Sequence, residues 1–289
     1  MKKWIRLLGG FLAVCLLAGC GGVGEITPKD VREDKDITRV MSFNICGWDY
    51  KNIKNLVPKL MLEYSPDIIG VQECTYDWYQ KLTKEMPEYS FIGVGRDTGT
   101  LESGCGEMTA ILYKTEKYTL VDSDTFWLSE IPDTPSQGWD GDYIRICTWA
   151  IFKDNETGRE FAHVNTHLEN IDDGTGVEAL KNGTQMVKDK ILSFNMPVIV
   201  TGDMNFEKNS EYYKVITEAG FFDAQDIAET TMEGITCPSE RGGDTGEHID
   251  YVFFNKDITN VLTYKILRDS YDGKFPSDHY AIYVDFKWE

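Results

Sequence analysis

The sequence is poor in positive charge, has no paired cysteine motif, and contains no apolar run long enough to cross a bilayer. Lys and Arg number 29 against 48 Asp and Glu in 289 residues, a formal charge of −19. That deficit argues against tight, sequence-blind gripping of nucleic acid, which runs on clustered cations and counterion release. A nuclease that reaches its phosphates through a bound cation is still permitted. The seven cysteines show no CxxC spacing, so neither a zinc site nor a disulfide framework is expected. Repeats, low-complexity blocks and internal linkers are also missing. What is present, 42% apolar and 12% aromatic residues, is ample for a packed core. It excludes a disordered tail, a collagen-like fibre and a multi-span membrane protein.

The N-terminus reads as an export signal. Lys2, Lys3 and Arg6 form a basic region, and Leu7 to Leu17 is apolar apart from Gly9 and Gly10. The run ends in Leu17-Ala18-Gly19-Cys20, which resembles a bacterial lipobox whose cysteine is acylated and becomes the mature N-terminus. The expectation is a lipoprotein signal peptide over 1–19 and a flexible tether over 20–37 that starts at lipidated Cys20. One domain follows over 38–289, exported and membrane-anchored, and expected to be a monomer. Without its first 19 residues the chain carries 26 bases and 48 acids, or −22. Cys46, Cys74, Cys105, Cys147 and Cys237 then remain, an odd set that reads as buried free thiols.

Short apolar runs bounded by polar residues predict strands at 39–45, 67–73, 107–114, 144–153, 160–168, 197–202, 248–255 and 278–286. Helical spacing falls at 52–63, 76–86, 177–194 and 209–219. Such interleaving means α/β layers with strands buried between helices. The two halves echo each other, from Asn44 to Glu73 and from His167 to Asp203, which suggests two stacked sheets with acids at matching ends.

Side chains at i and i+2 of a strand share a face. Asn165 with His167, Asp203 with Asn205, and His248 with Asp250 are such pairs, and Asn44, Glu73 and Asp278-His279 lie at further strand ends. A buried polar group without a partner costs about 1–3 kcal/mol, so a cluster of acids, amides and imidazoles calls for mutual pairing or a cation. Oxygen donors without a cluster of Cys or His suit Mg²⁺, Mn²⁺ or Ca²⁺ rather than zinc. His163 reads as a sheet-face core residue. Glu107, at a strand start after Gly104 and Gly106, stays unassigned between cleft and turn. Trp127, Trp139 and Trp149 read as core more readily than as a ligand platform.

Ser42-Phe43-Asn44, Gln72-Glu73, Asn165-Thr166-His167-Leu168, Gly202-Asp203-Met204-Asn205, His248-Ile249-Asp250-Tyr251 and Ser277-Asp278-His279-Tyr280 occur in that order. Together they resemble the endonuclease/exonuclease/phosphatase superfamily of metal-dependent phosphohydrolases. The stretches Trp127–Glu130, Gly138-Trp139 and Arg145–Ala150 further resemble a secreted bacterial branch of it. The resemblance implies a four-layer α/β/β/α sandwich of two mixed sheets, with the site at one edge. It implies Glu73 as principal metal ligand with Asn44 beside it, for Mg²⁺, Mn²⁺ or Ca²⁺. Asp203 would orient or deprotonate the attacking water, and His279, fixed by Asp250, would be the partner acid or base. Asp278 would support the metal or His279, and His167 would donate to the phosphoryl group. Asn205, Arg145, Asn165 and His248 are the candidates for binding phosphate, with Tyr143 a competitor of Arg145. The expected function is hydrolysis of a small, glycan-linked or lipid-linked phosphoester. A secreted nuclease is the alternative, and a non-catalytic binding lipoprotein the second. Substrate choice is expected in the loops 96–106, 129–143, 170–177 and 229–247.

Overall fold

The computed structural model describes residues 23–288. The expected leader 1–19 and Cys20 lie outside the described residues. The chain opens with β1 (Ile37–Asn44), a 3₁₀ turn (Gly47–Asp49), α1 (Tyr50–Ile53), α2 (Leu56–Tyr64), β2 (Ile68–Cys74) and α3 (Tyr76–Glu85). β3 (Tyr89–Ile92), β4 (Met108–Lys114), β5 (Tyr118–Trp127), β6 (Ile146–Asp154) and β7 (Glu160–His167) follow. Next come α4 (Val177–Leu192), β8 (Val198–Asp203), α5 (Glu211–Thr217), β9 (Phe221–Asp223) and α6 (Ala224–Ile227). The last third holds β10 (Thr230–Thr231), β11 (Cys237–Pro238), β12 (Gly246–Glu247), β13 (Asp250–Asn255), β14 (Asn260–Leu267) and β15 (Ala281–Lys287).

One sheet runs β10-β14-β15-β1-β2-β4-β3 and the other β5-β6-β7-β8-β13-β9, with β11 and β12 as a small ribbon. Both sheets are mixed, because β1 pairs parallel with β2, and β7 with β8, amid antiparallel neighbours. Three apolar layers result. Trp78 and Leu82 of α3 and Leu60 and Met61 of α2 cover the outer face of the first sheet. Val40, Ile68, Phe161, Ile199, Val252 and Ile282 fill the space between the sheets. Leu180, Val187 and Ile191 of α4 and Ile216 of α5 cover the second sheet at Val164 and Val200. The chain is the four-layer α/β/β/α sandwich that the interleaved pattern and the resemblance implied.

Local chemistry explains where the elements depart from expectation. The helix expected over 52–63 is split at Lys54 and Asn55, since Pro58 has no N–H to give the Lys54 carbonyl. β5 was not predicted: it is a sheet edge carrying Asp122, Ser123 and Asp124, largely exposed, so its sequence lacks a buried face. β14 and the short β3 escaped the same test, and β9 to β12 are only two or three residues long. Ahead of β1, Lys29 N–H donates to Glu63 O (2.7 Å) and its Nζ pairs with Asp269 (2.6 Å). Arg32 pairs with buried Asp67. The segment expected as a free tether up to residue 37 is therefore fastened to the domain from Lys29 onward.

The sheets are joined most closely at Asn165. The β2–β4 ladder is interrupted between Val71 and Cys74, and at that break Asn165 Nδ2 donates to Val71 O and Ala110 O, both at 2.9 Å. Its Oδ1 accepts from Gln72 Nε2 (2.8 Å) and Thr201 Oγ1 (2.9 Å). A Cβ on Gly70 would come within 2.0 Å of Thr201 Oγ1, so only glycine lets the sheets approach here. Asn165 was expected to bind phosphate; instead all its bonds go to the protein interior. Removing it strands two carbonyls, an amide and a hydroxyl out of water. Asn165→Ala should therefore lower the free energy of urea unfolding by about 3 kcal/mol. A loss below about 1 kcal/mol would refute the joining role.

Candidate active site

Strand register gathers the polar residues at one end of both sheets. In the second sheet His167 lies opposite Asp203 in the parallel β7–β8 pair, and Asp250 opposite Asp203 in the antiparallel β8–β13 pair. In the first sheet β1 ends at Asn44, beside Gln72 of β2. Glu73 sits in the interruption of β2 with φ +57°, a left-handed conformation uncommon for a residue with a side chain. His279 comes from the segment just before β15, where adjacent residues need not alternate as they would in a strand.

The bonding network is continuous. Asn44 Nδ2 lies 3.0 Å from both Glu73 Oε1 and Asp203 Oδ2. The Gly47 N–H donates to Glu73 Oε2 (2.9 Å), while Asn44 Oδ1 accepts from Cys46 N (3.1 Å). His279 Nδ1 is 2.9 Å from Asp250 Oδ2, and its Nε2 is 3.8 Å from Asp203 Oδ2. His167 Nε2 approaches the same oxygen at 3.4 Å. Asn205, also at positive φ (+50°), takes Asp203 Oδ1 on its own N–H (3.2 Å) and donates from Nδ2 to Leu168 O (2.9 Å). Glu73, His167, Asp203, Asn205 and His279 line one cleft of about 360 Å³ together with Arg96, Glu107, Tyr143, Arg145 and Trp48.

Burial separates the protonation states. Asp203 is raised above the ordinary carboxylate value by loss of water, then by the Asp250 charge beside it. Burial alone would lower His279, but Asp250 and Asp203 outweigh it and hold the imidazolium well above the usual histidine range. His167 shifts the other way: burial, then the Arg145 and Arg96 charges, keep it neutral. The site thus holds one charged and one neutral imidazole around a single carboxylate. It is also short of cations. Asp250 Oδ1 is buried without a hydrogen bond, and Asp203, Asp250 and His279 offer ligand atoms all within 4.8 Å of one another. The carboxylates of that group, with Glu73, are hard oxygens and fit a divalent cation of the Mg²⁺ class, whereas His279 as an imidazolium has no lone pair to offer one.

Two arginines line the same cleft. Arg145 is only 7% exposed; Nη2 reaches Asn170 Oδ1 (3.1 Å) and Glu169 Oε1 (3.4 Å), and Nε makes no hydrogen bond. Arg96 pairs with Glu107 through Nη1 (2.7 Å) and likewise has a buried Nε without a hydrogen bond. Tyr143 lies over both, at 4.9 Å from the Arg145 guanidinium and 5.6 Å from that of Arg96.

Three expected site residues are elsewhere. Asn165 is buried between the sheets, as described. His248 donates from Nδ1 to Gly234 O (2.8 Å) and lies against Tyr251 and Tyr264, outside the cleft lining. It lies between β12 and β13, outside any strand, where alternation does not place it on the face of Asp250. Asp278 also falls outside the lining: Ser277 Oγ is 3.1 Å from its Oδ1, and it faces the Cys46 thiol and Arg241. Arg96, Trp48, Asn170 and Glu247 line the cleft without having been singled out. Arg96, Asn170 and Glu247 fall within the loops flagged for substrate choice; nothing in the residue pattern marked Trp48. Glu107, left unassigned, joins the cleft, whereas Trp127 and Trp149 pack against Arg96 O and Lys190. Cys46, Cys74, Cys105 and Cys147 are buried free thiols and Cys237 is half-buried.

Residues 41–279 match the Endonuclease/Exonuclease/phosphatase family. Among solved structures, an endonuclease/exonuclease/phosphatase from Bacteroides vulgatus is 32% identical, covering 88% of this chain and 99% of that one, with a TM-score of 0.79. A mannosyl-6-phosphatase from Bacteroides thetaiotaomicron is 30% identical, covering 86% and 98%, with a TM-score of 0.78. Human nocturnin is 23% identical over 295 residues, 91% of this chain and 64% of nocturnin.

The raised His279 pKa sets a pH dependence of stability. Above about 6.5 an unfolded histidine has lost its proton while folded His279 keeps it, so the folded state binds more protons. Stability should fall as pH rises from about 6.5 through the folded value, by up to about 1.4 kcal/mol per pH unit. Urea unfolding of metal-free protein above pH 7 should show that slope, and His279→Gln should flatten it. Equal slopes would contradict the assignment.

Proposed function

Because the chain belongs to the endonuclease/exonuclease/phosphatase family, we propose that it is an exported, metal-dependent phosphoesterase acting on a small or glycan- or lipid-linked phosphoester. The observation that carries this reading is the Asp250–His279–Asp203 chain joined through Asn44 to Glu73, at one cleft that Arg145 and Arg96 also line. Likeness to a mannosyl-6-phosphatase supports a phosphoester of modest size. The acidic chain, with Arg96 and Arg145 as the basic residues lining the cleft, disfavours a long polynucleotide. A nuclease activity is the alternative, supported by the likeness to nocturnin.

In this mechanism Glu73, with Asn44 beside it, would hold Mg²⁺ or Mn²⁺ (Ca²⁺ also suits the donors), which would supply Lewis acidity toward a phosphoryl oxygen. Asn44 must then turn its amide oxygen from Cys46 N–H, or remain a donor that keeps Glu73 and Asp203 apart. Asp203, raised toward neutrality, orients a water and accepts its proton. His279 carries a proton on Nε2 toward the reacting group, while Asp250 holds Nδ1–H and so fixes the ring. Neutral His167 donates to the phosphoryl group as charge builds, and Asn205 and Arg145 seat its other oxygens. Asp278 supports this arrangement from behind, through the segment that carries His279.

Purified protein should hydrolyse para-nitrophenyl phosphoesters faster than it cuts plasmid DNA, and EDTA should abolish both. His279→Ala and Glu73→Ala should each lose about 10²–10⁴-fold in rate while the far-UV circular dichroism stays that of the folded protein. Turnover at the wild-type rate by His279→Ala would refute the mechanism, and no turnover with any divalent metal would favour the binding-protein alternative. The same proposal has the chain anchored through acylated Cys20, supported by the basic n-region and the Leu-Ala-Gly-Cys sequence. Cys20→Ser should move the protein from the detergent phase to the aqueous phase on Triton X-114 partition; an unchanged partition would refute the anchor.

A further inference from the structure

The cleft has an aromatic rim that the phosphoryl chemistry leaves unused. Trp48 is 75% exposed, yet it lines the same cleft as Glu73, Asp203 and His279. It is fixed in place. Gly47, its neighbour, donates to Glu73 Oε2, and a Cβ there would lie 2.6 Å from Glu73 O. Asp49, on its other side, is paired with Arg241 and accepts from Asn52 Nδ2 (2.5 Å). Arg241 in turn donates to Cys46 Sγ (3.2 Å) and places its guanidinium 5.5 Å from the Trp48 ring centroid. An indole left in water while its flanking residues and its backing cation are all tied down has the form of a preformed platform.

What could lie on it follows from the charges. The basic residues lining the cleft, Arg96 and Arg145, are both at the Tyr143 wall, and Arg241 behind the indole is neutralised by Asp49. A single phosphate therefore finds cations at one end only, and a second phosphate on the Trp48 side would find none. The β11–β12 ribbon, whose turn carries Arg241, adds Glu247 to the lining, a group that pairs with hydroxyls, and Ile249 follows it. A pyranose ring has an apolar C–H face for the indole and hydroxyls at its edge for such groups. We propose that Trp48, positioned by Arg241 and Asp49, is the platform for the ring of a hexose leaving group whose terminal phosphate sits at Arg96 and Arg145. The proposal rests on the phosphoesterase reading above and narrows it to sugar phosphates.

The test compares wild type, Trp48→Ala and Trp48→Phe on glucose 6-phosphate, mannose 6-phosphate, 5′-AMP and glycerol 3-phosphate with Mg²⁺. Trp48→Ala should raise KM for a hexose phosphate about tenfold, within the range for ring stacking on an aromatic residue. Its effect on glycerol 3-phosphate, which has no ring, should be at least about five times smaller, and Trp48→Phe should recover most of the loss. Equal losses on both substrates would reduce Trp48 to a structural role and overturn the proposal. So would a Trp48-dependent preference for 5′-AMP over both hexose phosphates. Calorimetric titration of the same phosphates into His279→Gln and into Trp48→Ala/His279→Gln reads the platform independently of turnover. Equal affinities there overturn the platform; Trp48-dependent hexose phosphate binding by a wild type that never turns over upholds it and overturns the hydrolase reading instead.

Discussion

Two sheets from distant parts of the chain must approach closely enough for their ends to share one cleft, and Asn165 is where that approach is fastened. Its amide answers two carbonyls at the break in the β2–β4 ladder and is answered by Gln72 and Thr201, so each sheet satisfies buried groups of the other. His163 Nε2 adds a bond to Thr201 Oγ1 (2.8 Å) in the same layer, its imidazole pushed down to about 3 by burial and hence neutral. The polar layer tolerates no added methyl at Gly70. Because polar bonds are directional where apolar contacts are not, this layer fixes the relative register of the sheets, and with it the distances among Asn44, Glu73, Asp203 and His279.

The interruption that creates the need for Asn165 also turns Glu73. A regular β2 would send Glu73 to one face by alternation; the left-handed backbone at Glu73 aims its carboxylate at Asn44 and Gly47 instead. Structural join and chemical site are thus consequences of a single irregularity. Above it, acids outnumber the cations that could neutralise them, and the fold keeps their charges from collapsing together by placing one neutral amide, Asn44, between Glu73 and Asp203 and one imidazolium between Asp203 and Asp250. That is a costly arrangement in a dry pocket unless a cation and an anionic substrate complete it.

The strands at the centre of each sheet were legible in the chain, because strands buried on both faces are continuous apolar runs. The edge strand β5 and the short ribbon of β11 and β12 were not, since their residues serve solvent or a loop rather than a core. The same division applies to the site. His167, Asp203, Asn205, Glu73 and His279 stand at the ends of readable strands and do converge. Asn165 shares a strand face with His167, and alternation alone cannot tell the member that reaches the cleft from the one that stays between the sheets. His248 shares a strand parity with Asp250 but precedes β13, where parity no longer holds. Arg96 and Trp48 come from a loop and a turn, and Glu247 from the two-residue β12, whose course depends on what they pack against.

From the sequence alone came the layered α/β architecture, the family resemblance and the donor chemistry, because periodicity and residue type are local properties of a chain. Only the tertiary structure decided which polar residues meet, since meeting depends on strand register, on the break at Glu73 and on the closeness of two sheets at Gly70. It also decided the protonation of each histidine: His163, His167 and His279 are the same side chain, and burial, arginines or carboxylates around each one set its charge.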